Sequence, residues 1–169
     1  MFVRFLRENV YASYLLTILR LYLGWVWFEA GFKKISAGFD VSGFLRGAVE
    51  KAVGEHPAVQ PWWADFINGF ALPNAPLFNF LVPWGEFLVG LGLILGTFTT
   101  FAVWMGALMN FSYLFSGTTS TNPEMVLMEI IILVAGFNGA KIGIDRWLIP
   151  LLRKKFTRKK SILRNAAEV

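Results

Sequence analysis

The chain has 169 residues, 56% of them hydrophobic, with a formal net charge of +5 and a positive mean hydropathy. This is too apolar for an ordinary soluble domain, and most of the excess charge sits in the C-terminal stretch, which points to a membrane surface and excludes nucleic acid as the first partner. With no cysteine and a single histidine, His56, the chain excludes disulfides, thiolate metal sites, iron–sulfur clusters and a bis-histidine haem within one copy, and no metal is expected.

Residues 11–32 form an apolar run behind Arg4 and Arg7. The run is too long for the apolar core of a signal peptide, carries Arg20 and Glu29, and lacks an A-x-A cleavage site, so it reads as a retained first transmembrane helix. Arg20, Gly24, Trp27, Gly31 and Lys34 fall on one stripe at helical spacing. Glu29 stands four residues before Lys33, a favourable acid-before-base pair.

A long connection, 36–76, separates this run from the next. From Ser42 to Gly54 apolar and charged residues alternate in pairs, which predicts an amphipathic helix capped by Asp40 or Ser42. Pro61-Trp62-Trp63 opens a second short piece, with Phe66 and Phe70 four residues apart. Two readings fit it: a segment lying in the headgroup layer, or a small core packed on the helix ends.

The second span, 77–97, holds the stretch FLVPWGEFLVGLGLILG with Glu86 in its midst. A charge there costs about 2.5–3.5 kcal/mol on insertion scales and needs a partner or a purpose. Pro83 removes one helical donor, leaving the carbonyl of Asn79 free and predicting a kink near the acid. Gly92 and Gly96 form a small-xxx-small pair suited to close helix approach. Thr97–Thr100 is a tight turn, 101–116 a third span, and Ser116–Asn122 a hydroxyl-rich loop. Asn122-Pro123-Glu124 starts a fourth span, 123–144, and Pro150 stops its continuation before a basic tail, 151–169.

The expected fold is therefore an all-α integral membrane protein: a four-transmembrane-helix bundle over 1–150 with an extracytoplasmic amphipathic-helical insertion between helices 1 and 2. Arg4, Arg7, Lys141, Arg146 and the Arg153–Arg164 cluster fall on one side, which the positive-inside rule makes cytoplasmic, together with both termini.

Depth counted at about 1.5 Å per residue puts Arg20 roughly 12 Å and Asn110 roughly 16 Å from the inner face, and Glu86 roughly 13 Å and Glu129 roughly 9 Å from the outer face. In a core about 30 Å thick, Arg20, Glu86 and Asn110 share the central layer. Arg20 is expected to pair with Glu86, while Glu129 and Asn110 complete a polar pocket; a clip between helices is the plainer alternative. Lys33 and Lys34, at the outer end of the first helix, have two accounts. They are cations favoured by the helix dipole, or they dock an oxyanion with Thr118, Thr119 and Ser120.

Arg20 with Gly24, Gly31 and Lys33-Lys34, Pro83-Trp84-Gly85-Glu86 leading into Gly90-x-Gly92, and Gly139-Ala-Lys-Ile-Gly-Ile-Asp145 resemble the DoxX/DoxD group of bacterial and archaeal membrane proteins. The resemblance spans about Tyr11 to Pro150 and is closest to the DoxD type, described as the large subunit of thiosulfate:quinone oxidoreductase. It implies a multi-pass cell-membrane protein that oxidises thiosulfate to tetrathionate at the outer face and passes electrons to membrane quinone. It also implies a second subunit, DoxA. The chain holds no thiol, haem or cluster for those electrons, so transfer has to run directly to a quinone held between helices. Trp27, Trp84, Trp104 and Phe87 would supply the apolar slot. Arg20, Glu86 and Asn110 would form its polar end, with Glu86 or Glu129 handling protons. Two other classes stay open: a non-catalytic anchor or regulator of a redox enzyme, and a small transporter, which with four spans and no repeat would need a homo-oligomer.

Overall fold

A computed structural model describes residues 1–155, and all regular structure among the described residues is helical. The helices are α1 (Phe2–Glu8), α2 (Val10–Ala37), α3 (Ser42–Glu50), α4 (Pro61–Phe66, continued by a π turn, Ile67–Ala71), α5 (Ala75–Leu95), α6 (Thr99–Phe115), α7 (Asn122–Ala135), α8 (Phe137–Ala140) and α9 (145–155). Most of the basic tail expected over 151–169 lies outside the described residues. Its first part continues α9, and Pro150, expected to stop the helix, sits inside it.

Helices α2, α5, α6 and α7 pack in that order around one core of Leu23, Trp27, Val89, Leu93, Val103 and Ile132. Two of them, α2 and α5, are long and apolar enough to cross a membrane. At 1.5 Å per residue they reach about 42 and 32 Å, against an apolar core of about 30 Å. All four turn large apolar side chains outward, among them Ile18 (65% exposed), Leu88 (57%), Leu108 (61%) and Leu127 (63%). An apolar exterior around a packed interior is what a lipid environment selects.

Glycines set the antiparallel register of α2 on α5. A side chain at Gly31 would strike the backbone of Phe87 and the carbonyl of Pro83; one at Gly90 would strike the backbone of Phe28. Gly24 rests against Leu93 and Ile94. The close approach is thus made by Gly24, Gly31 and Gly90, not by the expected Gly92–Gly96 pair. Gly92 instead faces Ala102 and Thr97, and Gly96 backs onto Arg20.

The α5–α6 turn is as tight as Thr97–Thr100 suggests, with Gly96 (φ 62°) and Phe98 (φ 48°) both left-handed. The fourth helix, by contrast, stops at Ala135, well short of the expected 144. Gly136 takes φ 59° and ψ −132°, a conformation open to glycine but not to L side chains, and the short α8 follows. The fourth span expected over 123–144 is therefore broken at Gly136.

The connection 36–76 builds its own small core from Val41, Leu45, Ala48, Ile67 and Ala71, covered by Phe44 and Trp63. The small core packed on the helix ends, one of the two sequence readings, is present. The α3 helix ends at Glu50, short of Gly54, and Asp40 ties its start by accepting from the N–H and hydroxyl of Ser42. The insertion is fastened to the α6 end where Trp63 donates to Ser116 (2.9 Å) and Lys51 to the Gly117 carbonyl (3.0 Å).

Candidate functional site

Along α2 the polar residues of the buried stripe recur at seven-residue steps, Arg20, Trp27 and Lys34, so they share one face at levels about 10 Å apart. Each level meets a different set of helices. Three separate polar centres result.

At the level nearest the insertion, Lys34 Nζ lies 2.7 Å from Glu86 Oε1 and 2.5 Å from Oε2, spanning α2 and α5. From α6 the Tyr113 hydroxyl donates to Oε1 at 2.6 Å. Glu86 is 1% exposed, so its charge is compensated by an ammonium and a phenol and by no water contact of consequence. Insertion residues close the top: the Phe39 ring stands 5.6 Å from Lys34 Nζ, and Phe44 meets Tyr113 edge-on at 5.8 Å.

The middle level joins α2, α6 and α7. Glu129 Oε1 accepts from Trp27 Nε1 (3.2 Å) and Asn110 Nδ2 (2.9 Å), with Glu129 and Asn110 both fully buried. Gly106 makes the room: a Cβ there would stand 2.7 Å from Glu129 Oε1 and 3.0 Å from Trp27 Nε1.

At the third level, by the α5–α6 turn, Arg20 donates to the Ile142 carbonyl (2.5 Å) beside Gly96 and Gly143. Asp145, which sequence reasoning missed, accepts from the N–H groups of Phe98 and Thr99 at 2.8 Å each and so caps α6. Its own N–H returns to the Gly96 carbonyl (2.8 Å). This is a structural clasp between chain segments, remote from the other charges.

A cavity of about 1080 Å³ opens between α5 and α6 and runs from the insertion to the α5–α6 turn. Its wall is overwhelmingly apolar, with Val89, Met105 and Met109 among the lining, and the Lys34, Glu86 and Tyr113 group borders it. An apolar slot with a few convergent polar groups is the usual form of a small-molecule site.

Several expectations fall here. Arg20 does not pair with Glu86, because the α2–α5 register sets Arg20 against Gly96 and brings Lys34 to the acid. Arg20, Glu86, Asn110 and Glu129 therefore do not form one pocket. Lys34 is occupied by Glu86, and Lys33 is exposed and paired with Glu29 at 2.6 Å, so the two do not present a joint anion site. Trp27 borders the cavity, but Trp84 (41% exposed) and Trp104 (60%) turn outward and do not. Tyr113 was the residue to find. A phenol three residues past Asn110 in an apolar span needs a hydrogen-bond partner when buried, and that was the available signal.

A family model described as DoxX matches residues 15–118. The chain belongs to the DoxX family. Neither a curated protein nor a solved structure matches it. In this DoxX protein the matched stretch takes in α2, the insertion, α5 and α6, and with them Lys34, Glu86, Tyr113 and the main walls of the cavity. Glu129 lies beyond it on α7. Chemically, the cavity wall offers a carboxylate that accepts and two groups, an ammonium and a phenol, that donate.

Proposed function

We propose that this DoxX protein is a multi-pass membrane subunit that binds a quinone between α5 and α6 and passes to it electrons taken from thiosulfate. The carrying observation is the apolar cavity flanked by the buried Lys34–Glu86–Tyr113 group. A quinone fits that chemistry: its tail requires an apolar slot open toward lipid, and its carbonyls require donors at one place along it. Lys34 keeps an N–H beyond its contacts with Glu86 and supplies one donor; Tyr113, whose single O–H rests on Glu86, turns from it to the other carbonyl when quinone enters, and Glu86 then passes on the protons. Uptake of two electrons and two protons by the quinone balances the joining of two thiosulfates into tetrathionate, which releases two electrons. The donor reaction belongs on the insertion side, served by a DoxA-like second subunit.

Four crossings, α2, α5, α6 and α7–α8, with both termini cytoplasmic are part of this reading. It rests on the outward apolar side chains of all four helices and on the basic residues gathered at the end that bears the N-terminus. A second reading, an anchor for a separate redox enzyme, draws on the outward aromatic rings of Trp62 (56% exposed), Phe66 (40%) and Phe70 (48%) on the insertion.

The test is thermal unfolding of the detergent-solubilised protein with a short-chain benzoquinone, beside thiosulfate-dependent reduction of that quinone. Quinone raises the melting temperature of the native protein, and Tyr113→Phe removes most of the shift while leaving the apo melting temperature within a few degrees. Where the native protein turns over, Glu86→Gln of equal folded yield loses about 100-fold or more, the scale of a positioned acid–base group. Quinone that neither binds nor protects the folded protein leaves the anchor reading in its place.

A further inference from the structure

The break in α7 creates a second concavity at the end of the bundle away from the insertion, lined by a different set of residues from the quinone cavity. After Gly136 turns the chain, α1 folds beneath the gap. Arg7 Nε donates to the Val134 carbonyl (2.9 Å), one of those left free at the end of α7. Asn138 from α8 reaches back to the carbonyls of Leu6 (2.7 Å) and Asn9 (2.9 Å). The result is a pocket of about 400 Å³ with Arg7, Glu8, Asn138 and Lys141 on its rim.

The charge of that pocket is not balanced from within. Glu8 is taken by Arg4 at 2.9 Å, and among the described residues neither Arg7 nor Lys141 has an acidic partner. Two cations thus face a concavity with a neutralised acid beside them. Exposed aromatic rings accompany them: Phe137 (45% exposed) lines the pocket, and Phe2 (67%) and Phe5 (42%) stand exposed on α1, the helix that carries Arg7. Aromatic rings and cations side by side at a helix end are the residues that sit at headgroup level.

We infer that this pocket binds the phosphate of an anionic phospholipid, with Arg7 and Lys141 on its oxygens and Phe2, Phe5 and Phe137 along the upper acyl chains. The Arg7 guanidinium keeps terminal N–H groups free beyond its bond to Val134, which suits a phosphate. Basic pockets beside membrane helices on the cytoplasmic side favour such headgroups. A bound lipid also seals the one place where the fourth helix leaves its backbone interrupted. The basic tail would attract anionic membranes through its net charge alone, so variants of the tail and of the pocket separate the two contributions.

The experiment uses the full chain in a neutral detergent, titrated with phosphatidylglycerol, with phosphatidylcholine and with inorganic phosphate, and followed by melting temperature and by native mass spectrometry. Phosphatidylglycerol is expected to stabilise the protein and to remain bound at one copy per chain, and the other two ligands to do neither. A cation at the surface contributes about fivefold to such binding, so Arg7→Gln with Lys141→Gln should lose about thirtyfold. Lys141→Gln alone, which removes no internal bond, should lose about fivefold in a protein that melts as the native one does. A tail variant with Arg158, Lys159 and Lys160 changed to Gln should lose less than the pocket pair. Equal stabilisation by phosphatidylcholine, equal binding of free phosphate, or a larger loss from the tail variant than from the pocket pair each overturns the assignment.

Discussion

Glu86 is held by two partners that respond differently to removal, and the difference can be measured. Lys34→Met strands a buried carboxylate with only a phenol to compensate it, and losing one partner of a buried pair costs about 3–5 kcal/mol. Glu86→Gln keeps an acceptor for Tyr113 and leaves Lys34, whose side chain is 29% exposed, free to turn toward water, so it costs about 1–2 kcal/mol. The double variant should recover part of the Lys34→Met loss. Chemical unfolding of the four proteins in detergent yields the coupling, and an additive result would mean that the pair does not stabilise the fold. At this scale the sequence was half legible. That Glu86, Glu129 and Asn110 would be buried followed from their place in apolar runs, and Glu129 with Asn110 was rightly grouped. The partner of Glu86 was not, because partnership depends on the register between helices, which composition does not contain.

Element by element, that register is a steric matter, and the glycines carry it. Counting depth from the start of each apolar run placed Arg20 and Glu86 in one layer, as if both runs began at a membrane face. In fact the backbone contacts at Gly31 and Gly90 set α5 against α2 so that Arg20 meets Gly96 and Lys34 meets Glu86. Gly90→Ala should therefore cost about 1–3 kcal/mol, since the obstructing atoms are Phe28 backbone and cannot rotate away. Gly92→Ala meets only the Ala102 methyl and the Thr97 carbonyl at 3.3 Å and should cost less than 1 kcal/mol by the scale for tolerated core changes. If the two cost the same in the same unfolding assay, the α2–α5 approach is not set by Gly90. The interruption of α7 has a related origin. Gly136, Gly139 and Gly143 read in sequence as packing glycines of one continuous helix, and the left-handed backbone torsion at Gly136 shows the break instead.

For the molecule as a whole, charge separates the two ends while length leaves two helices ambiguous. Among the described residues only α2 and α5 are long and apolar enough to cross by themselves, because α6 has 17 residues and α7 has 14, about 26 and 21 Å. Yet both are packed into the same core as the long pair, and both turn leucines outward at Leu108 and Leu127. If α6 and α7 cross with the others, the α6–α7 loop stands on the same side as the insertion, opposite the N-terminus. If they do not, that loop shares a side with the N-terminus. The chain contains no cysteine, so single cysteines are clean reporters of these alternatives. Glu55→Cys in the insertion, Ser120→Cys in the α6–α7 loop and Glu8→Cys beside α1 would be labelled in intact cells with a membrane-impermeant maleimide, then again after permeabilisation. Glu55→Cys and Ser120→Cys should react before permeabilisation and Glu8→Cys only after it. Protection of Ser120→Cys until the membrane is opened, with Glu55→Cys still reactive, would reduce the crossings to α2 and α5. It would also place the polar rim of the cavity, which includes Ser120 and Thr121, on a different side from the insertion that closes Lys34 and Glu86. Against that outcome, Trp63 and Lys51 of the insertion bond to Ser116 and to the Gly117 carbonyl at the start of that loop, which holds the loop beside the insertion. The Ser120→Cys label is therefore the measurement that decides between two crossings and four.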